Sequence, residues 1–202
     1  MKIGVLGGTF NPIHKGHLLL GEVAYSNFGL DEIWFLPNGD PPHKSLDEND
    51  YIYLQHRIEM VRLSIEDIPY FKLNLHEAKV QEKSYTYETM RAFRECHPDH
   101  KFYFILGADS LFEFEKWKRF EEIFPNCIIL AAIRDGKGLD KVVSQANYLA
   151  EKYDAKIKTL KAPLQEVSST EIRARIKDKL PIGSMVHEGV IKYIEDNSLY
   201  LG

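Results

Sequence analysis

Two histidines, His14 and His17, stand three residues apart at the end of the run Gly7-Gly8-Thr9-Phe10-Asn11-Pro12-Ile13-His14-Lys15-Gly16-His17. At a helix entrance that spacing puts both imidazoles on one face. The glycine pair reads as a strand-to-helix turn, where bare backbone lets a phosphate approach and helix N–H groups point at it. Two imidazoles over an anion-binding turn make a site for handling phosphates; the plain alternative is a tight turn with two exposed histidines. No Gly-x-Gly-x-x-Gly follows the strand and no Gly-Lys-Ser/Thr closes a P-loop. Neither a dinucleotide fold of the dehydrogenase type nor a P-loop kinase is therefore expected.

A second anion site is readable near the other end. Ser168-Ser169-Thr170-Glu171-Ile172-Arg173 has the Ser-x-x-Glu spacing of a capping box, so a helix should begin there. It reads either as a cap with an exposed arginine or as a helix start whose hydroxyls, amides and first-turn Arg173 receive phosphates. Lys44, in Asn38-Gly39-Asp40-Pro41-Pro42-His43-Lys44, is a loop point charge able to meet phosphates or simply to be solvated. Ser84-Tyr85-Thr86-Tyr87-Glu88-Thr89 opens a helix whose amides at Thr86 and Tyr87 suit a carboxylate. Gly107-Ala108-Asp109-Ser110-Leu111 ends a strand, and Trp117 follows eight residues after Asp109. Its face is a stacking platform for a flat ring, or a half-buried packing surface. Arg134 follows a central strand and could contact phosphate or pair with Asp135. Cys96-His97-Pro98-Asp99-His100 fits no common zinc spacing and reads as a surface loop, while His56, His76 and His187 read as structural. No protein metal site is expected.

These residues need a scaffold of alternating strands and helices. Apolar runs at 3–6, 32–37, 102–106 and 127–133 read as buried strands, with shorter ones at 71–75 and 157–160. Helical spacing follows the first strand at Leu18-Leu19-Leu20 and Val23-Ala24, with Gly29 as C-cap, and recurs over 51–67, 85–97 and 139–153. Terminal helices are expected over 170–177 and 186–195, and a loop over 38–50. Alternation of this kind predicts a doubly wound α/β fold, a parallel sheet with a small C-terminal helical elaboration. No repeat or linker divides the chain, so residues 1–202 are expected to form one domain, the helices from about 168 onward completing its site. Ligands in such sheets bind beyond the carboxyl ends of the strands, where the notable loops lie.

Composition narrows the function. With 44% hydrophobic and 28% charged residues the chain resembles an ordinary soluble globular domain, and its formal charge of −4 argues against broad nucleic-acid binding. Anionic substrates must then be held by local cations. Cys96 and Cys127 are far apart and read as reduced thiols. No signal peptide and no run of ~20 apolar residues is apparent, so a cytoplasmic protein without a membrane partner is expected.

The unbroken Gly-Gly-Thr-Phe-Asn-Pro-x-His-x-Gly-His run resembles the His-x-Gly-His nucleotidyltransferases, and Ser168 to Arg173 is similar to their Ser-Ser-Thr-x-x-Arg motif. Within that superfamily, Ser84-Tyr85-Thr86 and Trp117 resemble bacterial nicotinate mononucleotide adenylyltransferases. The likeness runs nearly end to end, to Val190-x-x-Tyr193-Ile194 and Leu199-Tyr200. It implies transfer of an adenylyl group from ATP to nicotinate mononucleotide, with Mg2+ carried by ATP phosphates and water. It implies that His14, His17, Lys44 and Arg173 carry catalysis. Gly7, Gly8, Thr9, Phe10, Gly107, Asp109, Ser168, Ser169 and Thr170 would join the histidines and Arg173 around ATP. Asn38, Lys44, Thr86, Tyr87, Asp109, Leu111, Trp117 and Arg134 would hold the acceptor. The alternatives are another transferase of the same fold, such as a pantetheine-phosphate adenylyltransferase or a cytidylyltransferase, or a non-catalytic nucleotide sensor. Whether the chain is a monomer or a homo-oligomer is open at this level.

Overall fold

The computed structural model describes residues 1–39, 54–79, 84–134, 138–163 and 167–201. Its strands are β1 (Lys2–Gly8), β2 (Glu32–Pro37), β3 (Phe71–Leu73), β4 (Lys101–Gly107), β5 (Ile128–Arg134) and β6 (Ile157–Ala162). They pair in parallel in the order β3-β2-β1-β4-β5-β6. Helices α1 (Lys15–Phe28), α2 (Leu54–Ile65), α3 (Thr86–Cys96), α4 (Ala108–Phe112), α5 (Leu139–Tyr153), α6 (Ser169–Lys177) and α7 (Glu188–Asp196) connect and follow the strands.

Each strand feeds both faces of the sheet, because successive side chains alternate. In β5, Ile128, Leu130 and Ala132 enter one core while Ile129, Ala131 and Ile133 enter the other. That burial on both sides is why the strands read as continuous apolar runs. The order reverses between β2-β1 and β1-β4, opening a crevice at the carboxyl end of β1. This strand order is shared with dehydrogenase-type dinucleotide folds, from which the chain differs in the turn that follows β1. A missing glycine motif rules out one kind of phosphate turn, not a topology.

Element ends differ from expectation for local reasons. Gly7 and Gly8 complete β1, pairing with Leu36 and Pro37, instead of forming the turn. Helix α1 stops at Gly29 as expected, in the left-handed region at φ 55°. Tyr85 and His97 cap α3 and do not belong to it. Helix α7 starts at Glu188 because the His187 ring accepts a hydrogen bond from the Gly189 amide. The short helix α4 was not foreseen; its five residues carry too little periodicity. The helix expected over 51–67 is α2, its first three residues falling outside the described segment. Its buried stripe runs through Arg57, Met60, Val61, Ser64 and Ile65, while Leu54 and Ile58 on the same apolar spacing are half-buried.

Candidate active site

The chain leaves β1 through Thr9 and Phe10 and enters α1 at His14, its N-cap. Phe10 is held at φ 48°, a conformation that a residue with a Cβ adopts only when its surroundings force it. Those surroundings are specific. Its buried ring meets the His17 ring edge-on, with centroids 5.0 Å apart, and Phe35 lies behind it. A Cβ on Gly8 would come within 2.8 Å of the Phe10 ring, so only glycine leaves room for that packing.

Side chains from distant elements grip the carbonyls on either side of Phe10. Arg57, fully buried on α2, donates to the Thr9 carbonyl at 2.7 Å and to the Gly39 carbonyl at 2.9 Å. Arg173 of α6 donates to the Asn11 carbonyl at 2.9 Å, and the Ser169 hydroxyl donates to the Pro12 carbonyl at 2.9 Å. The Tyr200 hydroxyl, buried near the C-terminus, reaches the Asn11 side-chain oxygen at 2.7 Å. The motifs at opposite ends of the sequence are thus bolted together. The capping box foreseen at Ser168 is half formed. Its hydroxyl accepts from the Glu171 amide, but the Glu171 carboxylate turns to Arg175, because that guanidinium lies one turn along the same face.

The two imidazoles stack with centroids 3.7 Å apart. The His14 amide donates to Nδ1 of His17 at 3.2 Å. In the neutral ring Nδ1 is then the acceptor and the proton resides on Nε2, which makes Nε2–H the donor His17 offers. Both rings line a cavity of about 430 Å³ between α1, the β4–α4 junction and the start of α6, which also takes in Gly107, Asp109, Ser168 and Ser169. Thr170 is exposed in the first turn of α6.

A second cavity, of about 550 Å³, adjoins the first on the other side of Asp109, which lines both. Gly7, Gly8, Thr9, Asn38, Thr86 and Trp117 are among its walls. Trp117 stacks on Phe114 at 4.9 Å and meets the edge of Phe104, which sets its plane. Thr86 and Tyr87 open α3, where first-turn amides have no partner within the helix. The buried Oδ1 of Asn38 has no hydrogen-bond partner among the described residues, an open acceptor on the cavity wall.

Several expected site residues stand elsewhere. The Leu111 side chain is fully buried in the core beneath α4, which leaves only its main chain to face a ligand. Phe10 acts from beneath the turn, and the buried Tyr87 ring leaves only its amide for binding. Arg134 ends β5 at the carboxyl edge of the sheet. Lys44 lies outside the described residues. The reading of the sequence missed Arg57, whose signal was an arginine inside an apolar helical stripe, and Glu77, which carried none.

A parallel sheet with paired histidines at its switch point defines a nucleotidyltransferase. The Cytidylyltransferase-like family model accordingly matches residues 5–175. The chain is 37% identical over 199 residues to the nicotinate-nucleotide adenylyltransferase of Bacillus subtilis, covering 98% of both proteins. It is 44% identical over 200 residues to the "Probable nicotinate-nucleotide adenylyltransferase" of Lachnoclostridium phytofermentans, covering 99% of both. Among solved structures, Plasmodium falciparum nicotinic acid mononucleotide adenylyltransferase complexed with NaAD superposes with a TM-score of 0.77 at 24% identity, over 98% of this chain and 97% of that one. The chain belongs to the nicotinate-nucleotide adenylyltransferase family. No helix among the described residues is long and apolar enough to cross a membrane.

Proposed function

We propose that this chain transfers the adenylyl group of ATP to nicotinate mononucleotide, giving deamido-NAD and pyrophosphate, a step of NAD biosynthesis. The observation that carries this reading is the pair of adjoining cavities with Asp109 between them, one bearing the stacked histidines and the α6 start, the other Trp117 and the α3 start. The acceptor phosphate needs no general base, since its second pKa is about 6. One of its oxygens attacks the α-phosphorus of ATP, the bond to the β-phosphate breaks, and pyrophosphate leaves with that electron pair. The protein must place the phosphate in line and offset charge growing on the leaving group.

In this reading His14 and His17 meet the ATP phosphates, together with the Gly8–Phe10 backbone, Gly107 and the α6 start at Ser168, Ser169 and Thr170. Arg173, seated against the first motif through its bond to the Asn11 carbonyl, reaches the outer phosphates. Asn38, Lys44 and Arg134 serve the acceptor's ribose phosphate, Trp117 stacks on its pyridine ring, and the Thr86 and Tyr87 amides receive its carboxylate. Mg2+ suits this site by its preference for oxygen ligands: ATP phosphates and water would hold it, with the exposed carboxylate of Asp109 near both cavities. When bound it neutralises phosphate charge. We read the whole chain as one working unit, the helices from about residue 168 completing the ATP half through the bonds of Ser169, Arg173 and Tyr200 to the first motif.

Incubation with ATP and nicotinate mononucleotide should yield a product with the mass of deamido-NAD and one equivalent of pyrophosphate. A dinucleotide formed only from another acceptor would overturn the reading. Replacement of Arg173 by Ala should lower kcat/KM for ATP by about 10- to 100-fold, the loss of a charge-assisted contact made already in the ground state. Steady-state kinetics with ATP varied would test this, and an unchanged KM for ATP would count against the contact. The Trp117→Ala variant should bind nicotinate and nicotinamide mononucleotides equally poorly, because a ring face attracts either base. Its ratio of specificity constants should stay within about twofold of wild type; a collapse of that ratio would move selectivity from the helix start to the ring.

A further inference from the structure

One buried acid in the second cavity has no part in the mechanism above. Glu77, in the short turn Glu77–Lys79, is 9% exposed and lines that cavity. Its Oε1 accepts a hydrogen bond from the Thr89 hydroxyl at 2.7 Å, and its Oε2 accepts one from the Ser84 hydroxyl at 3.4 Å. Both donors are themselves buried, at 3% and 9% exposure. They flank the entrance to α3: Ser84 precedes the N-cap Tyr85, and Thr89 lies at the end of the first turn. Thr89 also approaches the Tyr85 carbonyl at 3.4 Å, so the three residues and the carboxylate form one network around the helix start.

A buried carboxylate is costly, and burial pushes its carboxyl above the usual range against the opposing pull of Thr89 and Ser84. A hydroxyl bonded to a carboxylate is held about twice as firmly as one bonded to a neutral acceptor. At this place such firmness fixes the direction in which the chain enters α3, and with it the direction of the Thr86 and Tyr87 amides.

We propose that Glu77 is the positioning residue of the acceptor half of the site, holding Ser84 and Thr89 so that the α3 amides are set for the acceptor's carboxylate. This rests on the assignment of the second cavity to nicotinate mononucleotide. Because Glu77 acts through the helix start alone, its loss falls on one substrate. The ATP side, built on α1 and α6, does not feel it.

The test is steady-state kinetics of wild type, Glu77→Ala, Glu77→Gln and Thr89→Val with each substrate varied in turn. Glu77→Ala should raise KM for nicotinate mononucleotide about tenfold, the equivalent of one lost hydrogen bond of ordinary strength. Its KM for ATP and its kcat should stay within about twofold. Glu77→Gln, which keeps an acceptor oxygen in the same place, should restore most of that loss. Thr89→Val should raise the same KM by a smaller factor. Equal losses for both substrates, or no rescue by Gln, would make Glu77 a general structural residue and overturn the proposal. Should the Ala variant fail to fold, Thr89→Val decides, and an unchanged acceptor KM there overturns the proposal. Failure of the substrate assignment looks different: wild type itself would not turn over nicotinate mononucleotide.

Discussion

His17→Ala should fold normally and turn over about 10²–10³ times more slowly than wild type, with little change in either KM. The His17 ring is fixed on three sides: the His14 amide holds Nδ1, the His14 ring stacks against it, and Phe10 packs edge-on. Its Nε2–H is therefore already oriented before substrate arrives. A donor oriented in advance contributes most where charge is growing, which in adenylyl transfer is on the departing pyrophosphate. Its loss should raise the barrier without weakening the ground-state complex. Single-turnover rates with both substrates saturating would measure this, and a variant retaining a third of wild-type turnover would remove His17 from the chemistry. His17→Gln, whose amide could present a neutral N–H nearby, should recover part of the rate.

Arg57→Ala should be the most destabilising single change among the residues discussed, by about 3–5 kcal/mol. The guanidinium is fully buried and joins the Thr9 and Gly39 carbonyls. Truncation would leave the two carbonyls without this donor, the Gly39 one in a buried setting, and open a cavity under the turn. In a chain of this size that loss corresponds to a fall in Tm of roughly 10 °C. Arg57→Lys keeps the charge but cannot fork between two carbonyls, so it should lie between Ala and wild type. Thermal unfolding of the three proteins at one pH would rank them. A Tm for Arg57→Ala within about 2 °C of wild type would show that the turn is held by its other contacts.

What could be read from the sequence and what could not divide along physical lines. The strands were legible because parallel strands buried on both faces must be apolar along their buried length, as β4 is over residues 102–106 and β5 over 128–133. The first motif was legible because helix geometry brings residues three apart together, and His14 and His17 indeed stack. Arg57 was illegible in role though visible in place: an arginine in an apolar stripe announces a buried cation without saying which carbonyls it serves. The partners of Arg173 and Tyr200 lie 162 and 189 positions away, contacts that no local pattern encodes. The inward turn of the Leu111 side chain was not legible, because a five-residue helix gives no period from which to tell its inner face from its outer one. Glu77 was missed for a related reason, since its partners are hydroxyls on another element.

The most direct test of the central claim is pyrophosphate release with ATP saturating and either nicotinate or nicotinamide mononucleotide varied. Carboxylate and amide are nearly the same shape, so only charge can separate them. The α3 amides donate to a carboxylate and have no acceptor to offer an amide NH₂ group. Dipole attraction of up to about 2 kcal/mol and charge-assisted hydrogen bonds of about 1.5–3 kcal/mol together correspond to roughly two to three orders of magnitude. The specificity constant kcat/KM for the nicotinate form should exceed that for the nicotinamide form by this factor. Equal specificity constants, a preference for the amide, or no pyrophosphate release with either mononucleotide would contradict it.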